Sequence, residues 1–189
     1  MLDILANNMC YKLGGIELTQ EFIEDIISMS KIAYDAKRKS LISNNGHKSN
    51  TILLRSTDEK YEFTMELRQS EYFIDNFSVI LIWTNANKYI GVSKPITLLR
   101  YNGIHDGNKP VNSDLHHSFH IHKITTEDME HERYSKPSRG NKTEKYSTFN
   151  EAITSFVSDC GIIDIEKCVT IFWADDQIEG QIVIGELLN

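Results

Sequence analysis

Cysteine and proline are scarce in this chain, with three of each among 189 residues, and the way they fall is restrictive. Cys10, Cys160 and Cys168 are odd in number, widely spaced and never paired as C-x-x-C, which argues against a disulfide framework and against a cysteine zinc site. A reducing cytoplasm is the compartment that suits this usage. Long apolar runs are missing. The run Val79-Ile80-Leu81-Ile82-Trp83 is typical, and it falls far short of the ~20 residues a membrane-crossing helix needs. Met1 to Asn8 carries no basic stretch ahead of an apolar core, so no secretory signal is expected. No G-x-x-x-x-G-K, G-x-G-x-x-G or G-x-S-x-G pattern occurs, which removes P-loop, dinucleotide and serine-elbow chemistry. No cofactor is expected.

A basic excess is also missing. The net charge is −7, with 20 Lys and Arg against 27 Asp and Glu. Residues 150–189 hold Glu151, Asp159, Asp164, Glu166, Asp175, Asp176, Glu179 and Glu186 against the single base Lys167. The remainder is therefore balanced, and any nucleic-acid role must rest on a local patch. The acidic end suits a basic partner, either a protein or a protein–nucleic acid complex, and equally suits a solvated face.

The apolar fraction and length suit one domain with a real core, 1–189. Thr19 can cap a helix whose stripe runs through Phe22, Ile23, Ile26, Ile27, Met29 and Ala33, with Lys37-Arg38-Lys39 at its C-terminal end. Ser43-Asn44-Asn45-Gly46 is turn material. Strands are expected at Thr51–Arg55, Lys60–Arg68, Phe77–Thr84, Ile96–Tyr101 and His117–Ile124, the second by strict alternation. Residues 125–146 read as a surface loop. Thr148 and Glu151 then open a second helix that Gly161 stops. Lys167–Trp173 and Gln181–Leu187 look like two more strands. The expected architecture is α+β: an antiparallel sheet of about five strands, an N-terminal helix, a covering helix and a C-terminal two-strand segment.

Five of the seven histidines fall between residues 105 and 122, at His105, His116, His117, His120 and His122. On a strand, His120 and His122 share a face, about 6–7 Å apart from a ~3.3 Å rise per residue. Arg100 and His105 lead off the neighbouring strand and can reach the same surface. Such a cluster permits metal-free cleavage of an RNA phosphodiester. His120 and His122 would be the acid–base pair, Arg100 would stabilise charge, and His105 would lie nearby. It also permits metal binding, since His120-x-His122 followed by Glu127 resembles part of the cupin metal motif. Asp114 stands where that motif has glycine, and its second half is missing. Hydrogen-bonded histidines with no function are the third reading.

The succession Leu98-Leu99-Arg100-Tyr101-Asn102-Gly103, Asn112-Ser113-Asp114 and His120-Ile121-His122 resembles a bacterial and phage domain family. Its pattern is apolar-Leu-Arg-apolar-Asp, a Pro-His and Asn-Pro-Asp loop, then Pro-His-apolar-His. The likeness spans roughly residues 18–160 and leaves the acidic end, 161–189, outside. A more distant likeness is to the TumE-type toxins of toxin–antitoxin systems. Matching positions are Arg100, Asn102, His105, His120 and His122. Asn102 replaces the aspartate, Ser113 the loop proline, and Ser118-Phe119 the proline before the histidine. The resemblance implies a role in conflict between phage, mobile elements and host. Together with the acidic end and the Asn102 departure, it suggests an anti-CRISPR-like inhibitor that binds a nucleic-acid-handling defence system. The acidic end itself, not the resemblance, supplies Trp173, Asp175, Asp176 and Glu179 as candidate partner-binding residues. The alternative is a metal-independent endoribonuclease toxin acting through the histidines.

Overall fold

The computed structural model describes residues 11–13, 16–105 and 115–169. The sheet is larger than the five strands expected from sequence. It has nine strands and is mixed, with five short helices around it. A separate hairpin joins β1 (Tyr11–Leu13) and β2 (Ile16–Leu18). Helix α1 (Gln20–Ser28) follows, capped by the Thr19 side chain, which accepts from the Phe22 N–H. The chain then enters β3 (Lys31–Ala36), where a continued helix had been expected, and so Lys37-Arg38-Lys39 lies at the end of a strand. The helical stripe misleads here because Lys31 and Ala33 alternate into the core beside β5, which a period-two reading of 31–36 would have caught.

The sheet continues through β4 (Ile42–Asn44), β5 (His47–Ser56), β6 (Glu62–Ser70), β7 (Phe77–Trp83), the short helix α2 (Asn87–Ile90) and β8 (Ile96–Asn102). Asn45 and Gly46, with φ of 52° and 78°, make the two-residue turn from β4 to β5. After β9 (His120–Lys123) come α3 (Thr126–Glu130), β10 (Gly140–Lys142), α4 (Phe149–Asp159), β11 (Ile162–Ile163) and α5 (Ile165–Cys168). Strand order is β10-β9-β8-β7-β6-β5-β3-β11, with β4 also on β5. Every pairing is antiparallel except β11 with β3. The segment 125–146 thus contains a helix and a strand. The residues expected to begin a strand at Lys167 belong to α5, and the rest of the expected two-strand end lies outside the described residues.

One face of the sheet is the core. Ile52, Leu54, Phe63, Met65, Leu67, Val79, Leu81, Leu99 and Tyr101 are each at most 3% exposed and belong to one cluster with α1 and α4. A register shift between Leu81 and Ile82 against β8 lets neighbouring Leu98 and Leu99 both join it. Helix α4 presents Phe149, Ala152, Ile153 and Phe156 to this face, and Gly161, at φ 59°, ends it against the Ser28 carbonyl. Lys31 is fully buried where α1 and α4 end, its ammonium donating to the carbonyls of Ile27, Met29 and Cys160 at 2.7, 2.8 and 3.0 Å. No helix among the described residues is long and apolar enough to cross a membrane.

Candidate functional site

Alternation sends the other residues of these strands to the opposite face, and the register lines them up. One row runs Ser49, Arg68, Ser78, Asn102, His120, Lys142. The next runs Thr51, Glu66, Ile80, Arg100, His122, Gly140. Arg100, His120 and His122 therefore share one face, as the two-residue period required. His47, Arg68, Asn76, Ser78, Arg100, Asn102 and His105 border a cleft of about 370 Å³ there. Sequence reading missed Arg68, His47 and Ser78. Arg68 carried a signal, since it sits on the polar side of an alternating strand, but nothing local pairs that strand with β8 through β7.

His105 reaches the site from just beyond β8, and His116 reaches it from the turn before β9 rather than from the strand itself. The His105 N–H donates to the His116 carbonyl at 3.0 Å, tying the two segments together. His105 Nε2 and His116 Nδ1 are 3.4 Å apart. His120 is fully buried, with Nδ1 2.7 Å from the Ser118 carbonyl and Nε2 3.2 Å from Asn102 Nδ2. A carbonyl can only accept, so Nδ1 carries the proton and Nε2 offers a lone pair. Tyr146 locks the strands behind this face: its hydroxyl oxygen accepts from the Asn102 N–H, and its single proton is shared between the carbonyls of His120 at 2.9 Å and Asn102 at 3.1 Å.

Burial pushes His120 down to about 4, against the Ser118 carbonyl and helped by the neighbouring imidazoles. Burial also lowers His122, with the Pro137 backbone opposing and Arg100 assisting. Both rings are thus held neutral, whereas an acid–base pair working near neutrality needs one of them protonated. Arg100 is lowered by burial, with Glu66 opposing and Arg68 assisting, and it stays charged as guanidinium does.

Glu127, expected beside His120 and His122, is engaged elsewhere: its carboxylate meets Arg139 at 2.7 Å and Arg133 at 3.7 Å. The ring nitrogens that converge are those of His105, His116 and His120, all within 4.8 Å of one another. Asp128, fully buried, accepts from Thr125, Arg133 and Ser138 and so fixes the segment between α3 and β10. Trp173, Asp175, Asp176 and Glu179 lie outside the described residues. Of the acidic groups that are described, Asp159 is paired with Lys145 at 2.6 Å and Asp164 with Lys167 at 2.8 Å.

At the end of the cleft, the loop between β6 and β7 carries Tyr72, Phe73 and Ile74, which are 88, 52 and 71% exposed. The loop leads directly into Asn76 and Phe77 on the cleft wall, and Tyr72 packs on the Gly46 turn beside His47. Sequence reading did not single these residues out. An aromatic pair in a tight β-hairpin loop was the available signal.

The chain matches no family model, no curated protein and no solved structure.

Proposed function

We propose that the polar sheet face binds single-stranded RNA and cleaves its phosphodiester backbone. The observation that carries this reading is the cleft in which Arg68 and Arg100 stand among imidazoles and amides. Neither guanidinium forms an ion pair among the described residues, and Glu66 is the only acid in the two rows from Thr51 and Ser49 to β10. Two guanidinium groups suit the non-bridging oxygens of a phosphodiester. The chain as a whole is acidic, so this is the local patch that a nucleic-acid role requires. Exposed Tyr72 and Phe73 at the rim offer faces on which unpaired bases stack, which favours a single strand over a duplex or an inorganic anion. The likeness to TumE-type toxins points in the same direction. The inhibitor reading draws on the acidic end, where Asp159 and Asp164 are already neutralised by lysines.

In the reaction the RNA 2′-oxygen bonds to phosphorus and the bond from phosphorus to the 5′-oxygen breaks. The 2′-hydroxyl proton passes to the lone pair of a neutral imidazole of the cluster, and the imidazolium so formed returns it, directly or through water, to the departing 5′-oxygen. Arg100 and Arg68 hold the charge that gathers on phosphorus-bound oxygen. The products are a 2′,3′-cyclic phosphate and a 5′-hydroxyl. The test incubates the protein with single-stranded RNA and with the matching DNA, in buffers containing and lacking divalent ions. RNA should be cut with those ends and DNA spared, and Arg100→Ala should lose about 10²-fold in rate, the usual cost of one charge-stabilising donor. RNA that is neither bound nor cut, or cleavage indifferent to both Arg100→Ala and Arg68→Ala, overturns the reading.

A further inference from the structure

We propose that His105, His116 and His120 form a three-histidine site for a divalent transition-metal ion of the zinc class, open toward the arginine cleft. Each ring offers one nitrogen and the three lie within 4.8 Å of one another. A tetrahedral ion with bonds of ~2.0–2.1 Å to nitrogen sets its ligand atoms about 3.3–3.4 Å apart. The His105–His116 pair is already at 3.4 Å. The pair is not two loose loops meeting by chance, because the backbone bond from His105 to His116 ties their segments. His120 is fully buried, and the Ser118 carbonyl holds the proton on Nδ1, leaving Nε2 as a lone pair. A backbone carbonyl on the far nitrogen is one of the partners by which proteins orient a metal-binding imidazole.

Ligand chemistry selects the ion. Three neutral imidazoles suit zinc, cobalt, nickel or copper, whereas magnesium and calcium require oxygen. Three protein ligands leave a tetrahedral ion one position for water or substrate. Asn102 and His105 border the cleft that Arg100 and Arg68 enter, so that position adjoins the place assigned above to the phosphodiester. Asn102 Nδ2 now lies 3.2 Å from His120 Nε2 and turns away when the ion takes that lone pair. The role in RNA cleavage rests on the function proposed above, whereas ion binding does not. With the ion in place, its bound water, acidified to near pH 7, becomes the group that exchanges the proton.

The experiment strips the full-length protein with a chelator and titrates it with Zn2+ by calorimetry and with Co2+ by visible absorption. One ion per chain and the intense bands of four-coordinate Co2+ are expected, with no response to Mg2+. His116→Ala, at the partly exposed turn, and His105→Ala should each weaken binding by at least about 10–100-fold, the range seen even for lost orienting partners. His117→Ala and His131→Ala should change nothing, and circular dichroism checks that every variant folds. No binding, or binding that both ligand variants leave intact, overturns the site. The RNA arm separates the two proposals. Ion binding with no action on RNA removes the cleavage reading and keeps the site. Equal RNA cleavage by the stripped protein in EDTA removes the ion from the reaction and keeps the cleft.

Discussion

Arg100 and His122 stand directly opposite each other on β8 and β9, and each keeps one buried nitrogen, Nε and Nδ1, without a hydrogen-bond partner among the described residues. Buried polar atoms are seldom left so, and each costs about 1–3 kcal/mol when unmet. Arg100 is the side of the pair that borders the cleft, so a guest there that accepts its Nε–H is favoured.

Affinity for RNA should carry the signature of these cations. Arg100→Gln and Arg68→Gln should each weaken binding of a single-stranded oligonucleotide and flatten its dependence on salt. For every phosphate that an arginine no longer neutralises, the slope of log K against log salt falls by about 0.7. Fluorescence anisotropy across a salt series measures it. An unchanged slope in both variants would place the RNA elsewhere.

The exposed hairpin tip makes a different prediction. Tyr72→Ala with Phe73→Ala should lose about 1–3 kcal/mol of binding per base unstacked, with the salt slope unaltered. Both side chains are largely exposed, so the melting temperature should hardly move. A large drop in stability with no loss of affinity would make the tip structural.

Gly140 lies across from His122, and a Cβ there would come within 2.7 Å of both His122 Cε1 and Leu115 Cδ2. Gly140→Ala should cost about 1–3 kcal/mol by overpacking, seen as a lower denaturant midpoint. It should also displace His122 and the turn that carries His116, which the Co2+ spectrum would report. A stable variant with an unchanged spectrum contradicts this.

Lys31 predicts a pH dependence. Burial pushes its ammonium down from 10.5 to about 8, while the unfolded chain keeps the ordinary value. Between those limits the unfolded state binds more protons, so this group makes stability rise with pH from about 8 upward. Lys31→Met removes that rise and strands the carbonyls of Ile27, Met29 and Cys160, at a cost of about 1–3 kcal/mol. Urea unfolding of both proteins at pH 7 and pH 9 tests it. Their difference in stability should widen at pH 9, and a constant difference would show that Lys31 does not titrate there. Tyr101 and Tyr146, pushed up by burial, act oppositely at higher pH but are common to both proteins, whereas Cys160, also pushed up by burial, is held down by the Lys31 charge beside it, so the comparison is confined to pH 9 and below.

Local periodicity determined by itself that alternate residues of β6 and of β9 share a face, and where two helices begin. Thr19 and Thr148 cap α1 and α4 as their spacing required, and Arg100, His120 and His122 share a face because strand side chains repeat every two residues. Register and neighbourhood were decided only by the tertiary structure. Residues 31–36 became a strand because β5 offered an edge, and a pairing partner overrides an ambiguous local pattern. Arg68 joined Asn102 and His120 because three antiparallel pairings set β6, β7, β8 and β9 side by side in one order. The expected pairing of His120 and His122 with Glu127 gave way to His105 and His116, since Glu127 found arginines and a backbone bond brought the two loops together. Which side chains meet is set by distances closed through the whole sheet, and no stretch of sequence contains that information.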